Sequence, residues 1–380
     1  LKKVGGAMSS PMDERTFLDF YKNTMLCASK NLQAFVCKRL EAEHRITYEQ
    51  QAKIDDTQDT MFFESKRDYK GIIITTTTSR SFIDFYEEFE FKKLYKYSVP
   101  FFFELENGKN IDDILSNTGI LFFDKNNYKT DFVIDTSLKE AKPMVLKDGD
   151  NYFIKFVLQR TYLQPEIYDL IGYRYPIVIV INPAIGILEV RYDSLKYNFA
   201  EPIDKEAYSK IVTVCIDWIK TNLQAKLFCC EHTDTIKIIN DSENTDVRMY
   251  KQMMDLKDGG AAELTASESA DYVLPFIGEL RELIDENEEL FNETEEVKQI
   301  LLQYLNEKEA TASYPYIYVK WVKPVEAHSY IVKITFDYFN GKYTLLQHIT
   351  GKCKDLEMGR MNDAIQYLSK SGSFVKGERI

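Results

Sequence analysis

Glycine and proline are scarce, with 16 and 10 in 380 residues, and histidine and tryptophan scarcer still, with four and two. So little glycine and proline excludes a collagen-like or linker-dominated chain. It also argues against a nucleotide cradle built from glycine amides, and neither G-x-x-x-x-G-K-[ST] nor G-x-G-x-x-G occurs. The G-x-S-x-G elbow and the H-E-x-x-H helix are missing as well. A His-based triad could draw only on positions 44, 232, 328 and 348, and no spacing singles one of them out. The cysteines at 27, 37, 215, 229, 230 and 353 form no C-x-x-C pair, which suits neither a zinc ribbon nor a disulfide framework. Neighbouring Cys229 and Cys230 on a strand point to opposite faces, so sharing one ion with His232 is awkward. Free thiols in a reducing cytoplasm are the simpler expectation, with no metal and no cofactor. No apolar run reaches the ~18–20 residues of a membrane helix, and Asn182-Pro183 breaks the longest one. The first six residues carry no apolar core, so they read as a loose tail and not as a secretory signal. A cytoplasmic chain without membrane contact is expected.

What is present is charge and aromatic surface. There are 60 acidic and 48 basic side chains, a formal net charge of −12, and 25 tyrosines with 24 phenylalanines. A chain this acidic repels a phosphate backbone at long range. The charge is nevertheless sorted along the sequence. Glu279 to Glu309 holds eleven acids and three bases, whereas Tyr314 to Ile380 holds ten bases and six acids, a local balance of +4.

Hydrophobic spacing divides the chain into helices and strands. Phe17, Phe20, Tyr21, Met25, Leu32, Val36 and Leu40 recur at threes and fours and predict one long helix from Asp13 to Glu43. Ile72-Ile73-Ile74 followed by four threonines predicts a strand over 71–78, and 81–89 a helix. Further strands are expected at 60–64, 101–105, 119–123, 131–134 and 152–163, with a hairpin over 176–192 and a helix over 204–223. Residues 226–239 read as a strand. The stretch 241–270 reads as a connection around Gly259-Gly260 with a short helix at 247–256, and 277–290 and 294–305 as a helical pair. Near the C-terminus, a strand over 314–323 precedes a hairpin centred on the turn pair Asn340-Gly341. That hairpin would set Tyr338 against Tyr343, Phe336 against Leu345, Ile334 against Gln347 and Val332 against Ile349. A last helix over 360–369 would cover the sheet. The fold class expected is α+β: a mixed-sheet N-terminal unit with flanking helices over 13–240, an acidic helical segment over 241–313, and a small hairpin-plus-helix module over 314–380.

Two functional classes follow. The first is a non-catalytic binding subunit of a multiprotein assembly, one that handles nucleic acid or defends against foreign DNA. Its nucleic-acid contacts would come from Lys320, Lys323, Lys333, Lys342, Lys352 and Lys354, with Tyr314, Tyr316 and Tyr318 available to stack bases. Alternating tyrosines also serve ordinary sheet packing. The acidic helical pair could engage a basic protein partner or simply be a solvated face. The alternative is a divergent metal-dependent nuclease, in which strand acids hold a cation and a lysine activates water. Its E-x-K candidates are Glu64-Ser65-Lys66, Glu90-Phe91-Lys92 and Glu189-Val190-Arg191 with Asp169 before it. Abundant Glu and Lys make such triplets common by chance, and arginine is a poor base.

Overall fold

The structure, a computed structural model, describes residues 11–48, 60–105, 110–164, 169–196, 206–232, 234–240, 246–255, 260–265, 276–291, 294–311, 313–322, 329–349 and 356–380. Its class is α+β. The chain makes two compact units. One comprises Leu1–Lys96, Phe103–Leu227 and Lys354–Gly359; the other comprises Tyr97–Phe102, Phe228–Cys353 and Arg360–Ile380. No helix among the described residues is long and apolar enough to cross a membrane.

In the first unit, helices α1 (Glu14–Leu26), α2 (Lys30–Ala42), α3 (Tyr69–Thr77) and α4 (Ile83–Lys92) enclose a core that includes Phe17, Tyr21, Val36, Leu40, Ile72, Phe85 and Phe89. An antiparallel meander of Met144–Asp148, Asn151–Gln164, Asp169–Asn182 and Ile187–Tyr192 lies in the same unit. Residues 173–181 of that meander are all buried, so the strand reads as a nearly unbroken apolar run. Helix α1 approaches this strand at Gly172, where a Cβ would meet the Phe20 ring at 2.7 Å. Helices α5 (Ile111–Asn117) and α6 (Ala207–Asn222) belong to the same unit, α6 burying Ile211, Val212, Cys215 and Ile219 as its spacing requires.

Two sequence expectations fail here for local reasons. The 13–43 helix is two helices, because Ser29 caps a new start, its hydroxyl accepting from the Leu32 amide at 3.2 Å. The 71–78 strand is helix α3. Asp68 caps it, accepting from the Gly71 amide at 2.9 Å. The threonines then donate back to carbonyls four residues earlier: Thr75 to Gly71 at 2.9 Å, Thr76 to Ile72 at 2.8 Å and Thr78 to Ile74 at 2.7 Å. Ile72, Ile73, Thr76 and Thr77 form its buried face, a helical and not an alternating set. Residues 131–134 are not a strand either, and 60–64 and 119–123 shrink to the short strands Met61–Phe62 and Leu121–Phe122.

In the second unit an antiparallel sheet runs in the order Ala261–Thr265, Val247–Asp255, Tyr316–Trp321, Tyr330–Asp337, Tyr343–Ile349 and the Tyr97–Phe102 portion of the Tyr97–Leu105 strand. Residues 247–255 are therefore a strand where a helix was expected. Val247 and Met249 are buried and alternate with Arg248, and a bulge between Met249 and Lys251 resets the phase so that Gln252 and Met254 are buried in turn. The expected 226–239 strand stops at Glu231 and is followed by helix α7 (Thr235–Asn240). Helices α8 (Phe276–Glu286) and α9 (Glu295–Thr311) form the expected helical pair and pack Ile284 and Leu305 on Met254.

The 330–349 hairpin closes differently from its turn-based register. Residues 338–341 form a helical turn, α10 (Tyr338–Gly341), with Phe339 at φ +56°. Tyr338 does face Tyr343, but beyond that pair the register moves by one: Thr335 faces Leu345, Ile334 faces Leu346 and Val332 faces His348. The slip turns Leu346 and His348 into the core and leaves Leu345, Gln347 and Ile349 half-buried. Helix α11 (Gly359–Lys370) buries Met361, Ala364, Ile365 and Leu368, and the Val375–Arg379 strand pairs with Ala225–Glu231.

Candidate functional site

The sheet of the second unit has two unlike faces. Val247, Met249, Gln252, Met254, Ile317, Val319, Trp321, Val332 and Ile334 are buried on one side. The other side is half-exposed and carries Arg248, Tyr250, Lys251, Tyr316, Tyr318, Lys320 and Lys333. Pairing places Lys333 opposite Tyr318, and Lys251 beside Tyr318 on the third strand. The cations lie against the rings: Lys333 is 3.6 Å from the Tyr316 centroid, Lys320 5.6 Å from Tyr250, and Lys251 5.6 Å from Tyr318. Glu263 is the acid within this group, accepting from Lys251 and from the Tyr316 hydroxyl at 2.8 Å each. That bond to a carboxylate, with partial burial, pushes the Tyr316 hydroxyl up to about 12. Burial, only partly offset by Glu263, lowers the pKa of Lys333. Lys320 and Lys333 make no ion pair among the described residues, and both side chains are half-exposed.

Of the lysines expected to touch nucleic acid, the structure brings Lys320 and Lys333 together on this face. Lys342 is exposed at the hairpin end, near the Phe339 ring. Lys323, Lys352 and Lys354 lie outside the described residues. Tyr316 and Tyr318 stand on the face in edge-to-face contact at 5.8 Å, whereas Tyr314 packs under the helical pair. Arg248, Tyr250 and Lys251 were missed because 247–256 read as a helix. The Val247-Arg248-Met249 alternation was the available signal.

The nuclease candidates do not converge. Glu189 pairs with Val180, eleven residues along the strand from Asp169, on the order of 35 Å. Glu189 is buried and bonded to Arg191, while Asp169 is exposed and accepts from the Leu170 amide at 2.8 Å. Glu64 and Lys66 are exposed outside any strand, Lys66 pairing with Glu41 at 2.5 Å. Glu90 and Lys92 sit on helix α4 instead of a strand. Among the described residues no three His, Cys, Asp or Glu side chains stand together as a metal site would need.

The first unit holds an unanticipated group of buried charges. Glu87 and Glu90 on α4 meet Lys155 and Arg174 from adjacent strands, all four inaccessible to solvent to within a few per cent. Arg174 bonds Glu87 at 2.7 Å and both oxygens of Glu90 at 2.8 Å, and Lys155 bonds Glu90 at 3.1 Å and also Glu87. The Tyr21 hydroxyl donates to Glu87. Burial opposes the Glu87 charge, but Arg174 and Lys155 more than reverse that and hold its pKa below the ordinary glutamate value. Two acids and two bases cancel here, so the group is complete without a ligand. Its sequence signal was a cation between apolar or aromatic neighbours in each strand, in Ile154-Lys155-Phe156 and Tyr173-Arg174-Tyr175.

The five described cysteines are free thiols, and burial pushes Cys37 up to about 12. No family model matches the chain, and no curated protein matches it.

Proposed function

We propose that the protein is a non-catalytic binding subunit that holds single-stranded nucleic acid on the half-exposed sheet face of its second unit. The supporting observation is the interleaving of Lys251, Lys320 and Lys333 with Tyr250, Tyr316 and Tyr318 on one face whose reverse side is buried. Rings stack bases irrespective of sequence, and the ammonium groups follow the backbone. The net charge of −12 opposes long-range capture, so affinity depends on this local patch and falls steeply with salt. Anisotropy of a labelled single strand of about 12 nucleotides tests it. Tyr316→Ala and Tyr318→Ala should each weaken binding by about 1–3 kcal/mol. Wild-type affinity retained in both variants would sink the reading.

A second surface favours a protein partner, as expected of an assembly subunit. Helices α8 and α9 and the Glu288–Phe291 turn between them leave Leu283, Leu290, Val297, Ile300 and Tyr304 between 49% and 74% exposed, and Asp285, Glu286, Glu289 and Glu296 are exposed beside them. An apolar stripe edged by acids fits a basic amphipathic segment of a partner.

A further inference from the structure

The first unit contains a polar cleft of about 350 Å³ whose lining includes Arg45, Arg80, Lys125 and Lys129 against one acid, Asp84. Four cations at one place are unexpected on a chain with 60 acidic and 48 basic groups. Two of them are held by neighbours. Arg45 bonds Asp84 at 2.6 Å and the Ser81 carbonyl, with its guanidinium 5.4 Å from the Phe82 centroid. Lys125 bridges Glu43 and Glu88 at 2.7 Å each. Burial works against the Lys125 ammonium, but those two carboxylates outweigh it and keep it charged.

The other two cations are not neutralised. Arg80 lies over the Phe132 ring at 5.5 Å and approaches Glu14 only to 3.9 Å, with both side chains largely exposed. Lys129 is exposed and makes no ion pair among the described residues. The two paired cations thus belong to fixed walls, and the charges of Arg80 and Lys129, both exposed residues of the lining, are in surplus. Ser81, Asn126 and Thr130 add neutral hydrogen-bonding groups. Ile83 and Tyr128 are the apolar members of a mostly polar lining, so a hydrophobic ligand finds little to bury against. The volume exceeds that of a bare anion, since a water molecule occupies roughly 30 Å³.

We infer that this cleft binds a small phosphorylated, hydroxyl-rich molecule such as a sugar phosphate, with Arg80 and Lys129 on the phosphoryl oxygens. Arginine offers a fork that matches phosphate, and lysine a point charge. The cleft shares no residue with the sheet face that the proposed function uses, and neither reading depends on the other.

Calorimetric titration of the full chain at low salt tests it, with ribose 5-phosphate, ribose and a short single-stranded oligonucleotide as probes. Ribose 5-phosphate should bind and ribose should not. The double substitution Arg80→Gln with Lys129→Gln should weaken ribose 5-phosphate at least about tenfold, the loss of two charge-assisted contacts, and leave oligonucleotide affinity unchanged. Both side chains are exposed, so the melting temperature should not move. No heat from ribose 5-phosphate, equal binding of ribose, or an unchanged affinity in the double variant would overturn the inference. So would loss of oligonucleotide binding in that variant, which would assign the cleft to nucleic acid.

Discussion

The same side-chain chemistry occurs twice in this molecule, once dry and once wet. Tyr21, Glu87 and Lys155 in the first unit repeat the types of Tyr316, Glu263 and Lys251 in the second: a tyrosine hydroxyl donates to a glutamate that also takes a lysine. Inside the first unit all the charges are buried, and Arg174 with Glu90 completes a neutral set of two acids and two bases. On the sheet face water screens each contact, and cations outnumber the single glutamate. The buried set therefore specifies how α4 lies on the strands, whereas the exposed set keeps unspent capacity for an anion. Solvent access, and not residue type, separates a structural lock from a recognition surface.

The sharpest way to break the comparison is to remove one partner from each set. Arg174→Met leaves Glu87 and Glu90 with Lys155 as their one cation in this group, and should destabilise the fold by about 3–5 kcal/mol in urea unfolding. A loss below about 1 kcal/mol would place the buried set with ordinary surface pairs.

Acid should separate the two sets next. A glutamate held below its usual pKa stabilises the fold above the unfolded-state value, and that stabilisation is lost as pH falls through the folded-state value. For Glu87 the window runs from 4.5 down to about 2. Urea midpoints of the wild type should fall across that window, and the gap to Glu87→Gln, largest at neutral pH, should close there. Parallel curves would show that Glu87 is not held ionised by its neighbours.

The smallest effect concerns salt. Lys333→Gln should leave stability almost unchanged but reduce the slope of log affinity against log salt by about 0.7, the value for one phosphate contact on a single strand. An unaltered slope would remove Lys333 from the contact.

How much of this was legible in the sequence follows from which interactions are local. Helix α6 and the 316–321 strand were readable because Ile211, Val212, Cys215 and Ile219 fall on one helical stripe, and Ile317, Val319 and Trp321 on one strand face. Helix α3 was misread because β-branched residues favour strands until their hydroxyls bond back along a helix, as Thr75, Thr76 and Thr78 do. The hairpin's place in the chain was found, but neither its turn nor its register was, since the helical turn at 338–341 replaces the expected Asn340-Gly341 turn and the one-residue slip beside it obeys no pattern of alternation. Lys320 and Lys333 were named from charge alone. Their partners Tyr250 and Lys251 lay some 70 residues upstream, and only strand pairing brings them close. The buried charges had no joint sequence signature, because Glu87, Lys155 and Arg174 come from three separate elements.

The central claim is that the wet set recognises an anionic strand. Its most direct measurement is the affinity of a short single-stranded oligonucleotide for the intact chain, titrated from about 50 to 200 mM salt, with Tyr318→Ala alongside. Binding at low salt, a linear log–log decline and a clear loss in the tyrosine variant are the predicted result. No binding at the lowest salt, or binding indifferent to both salt and Tyr318, would contradict it.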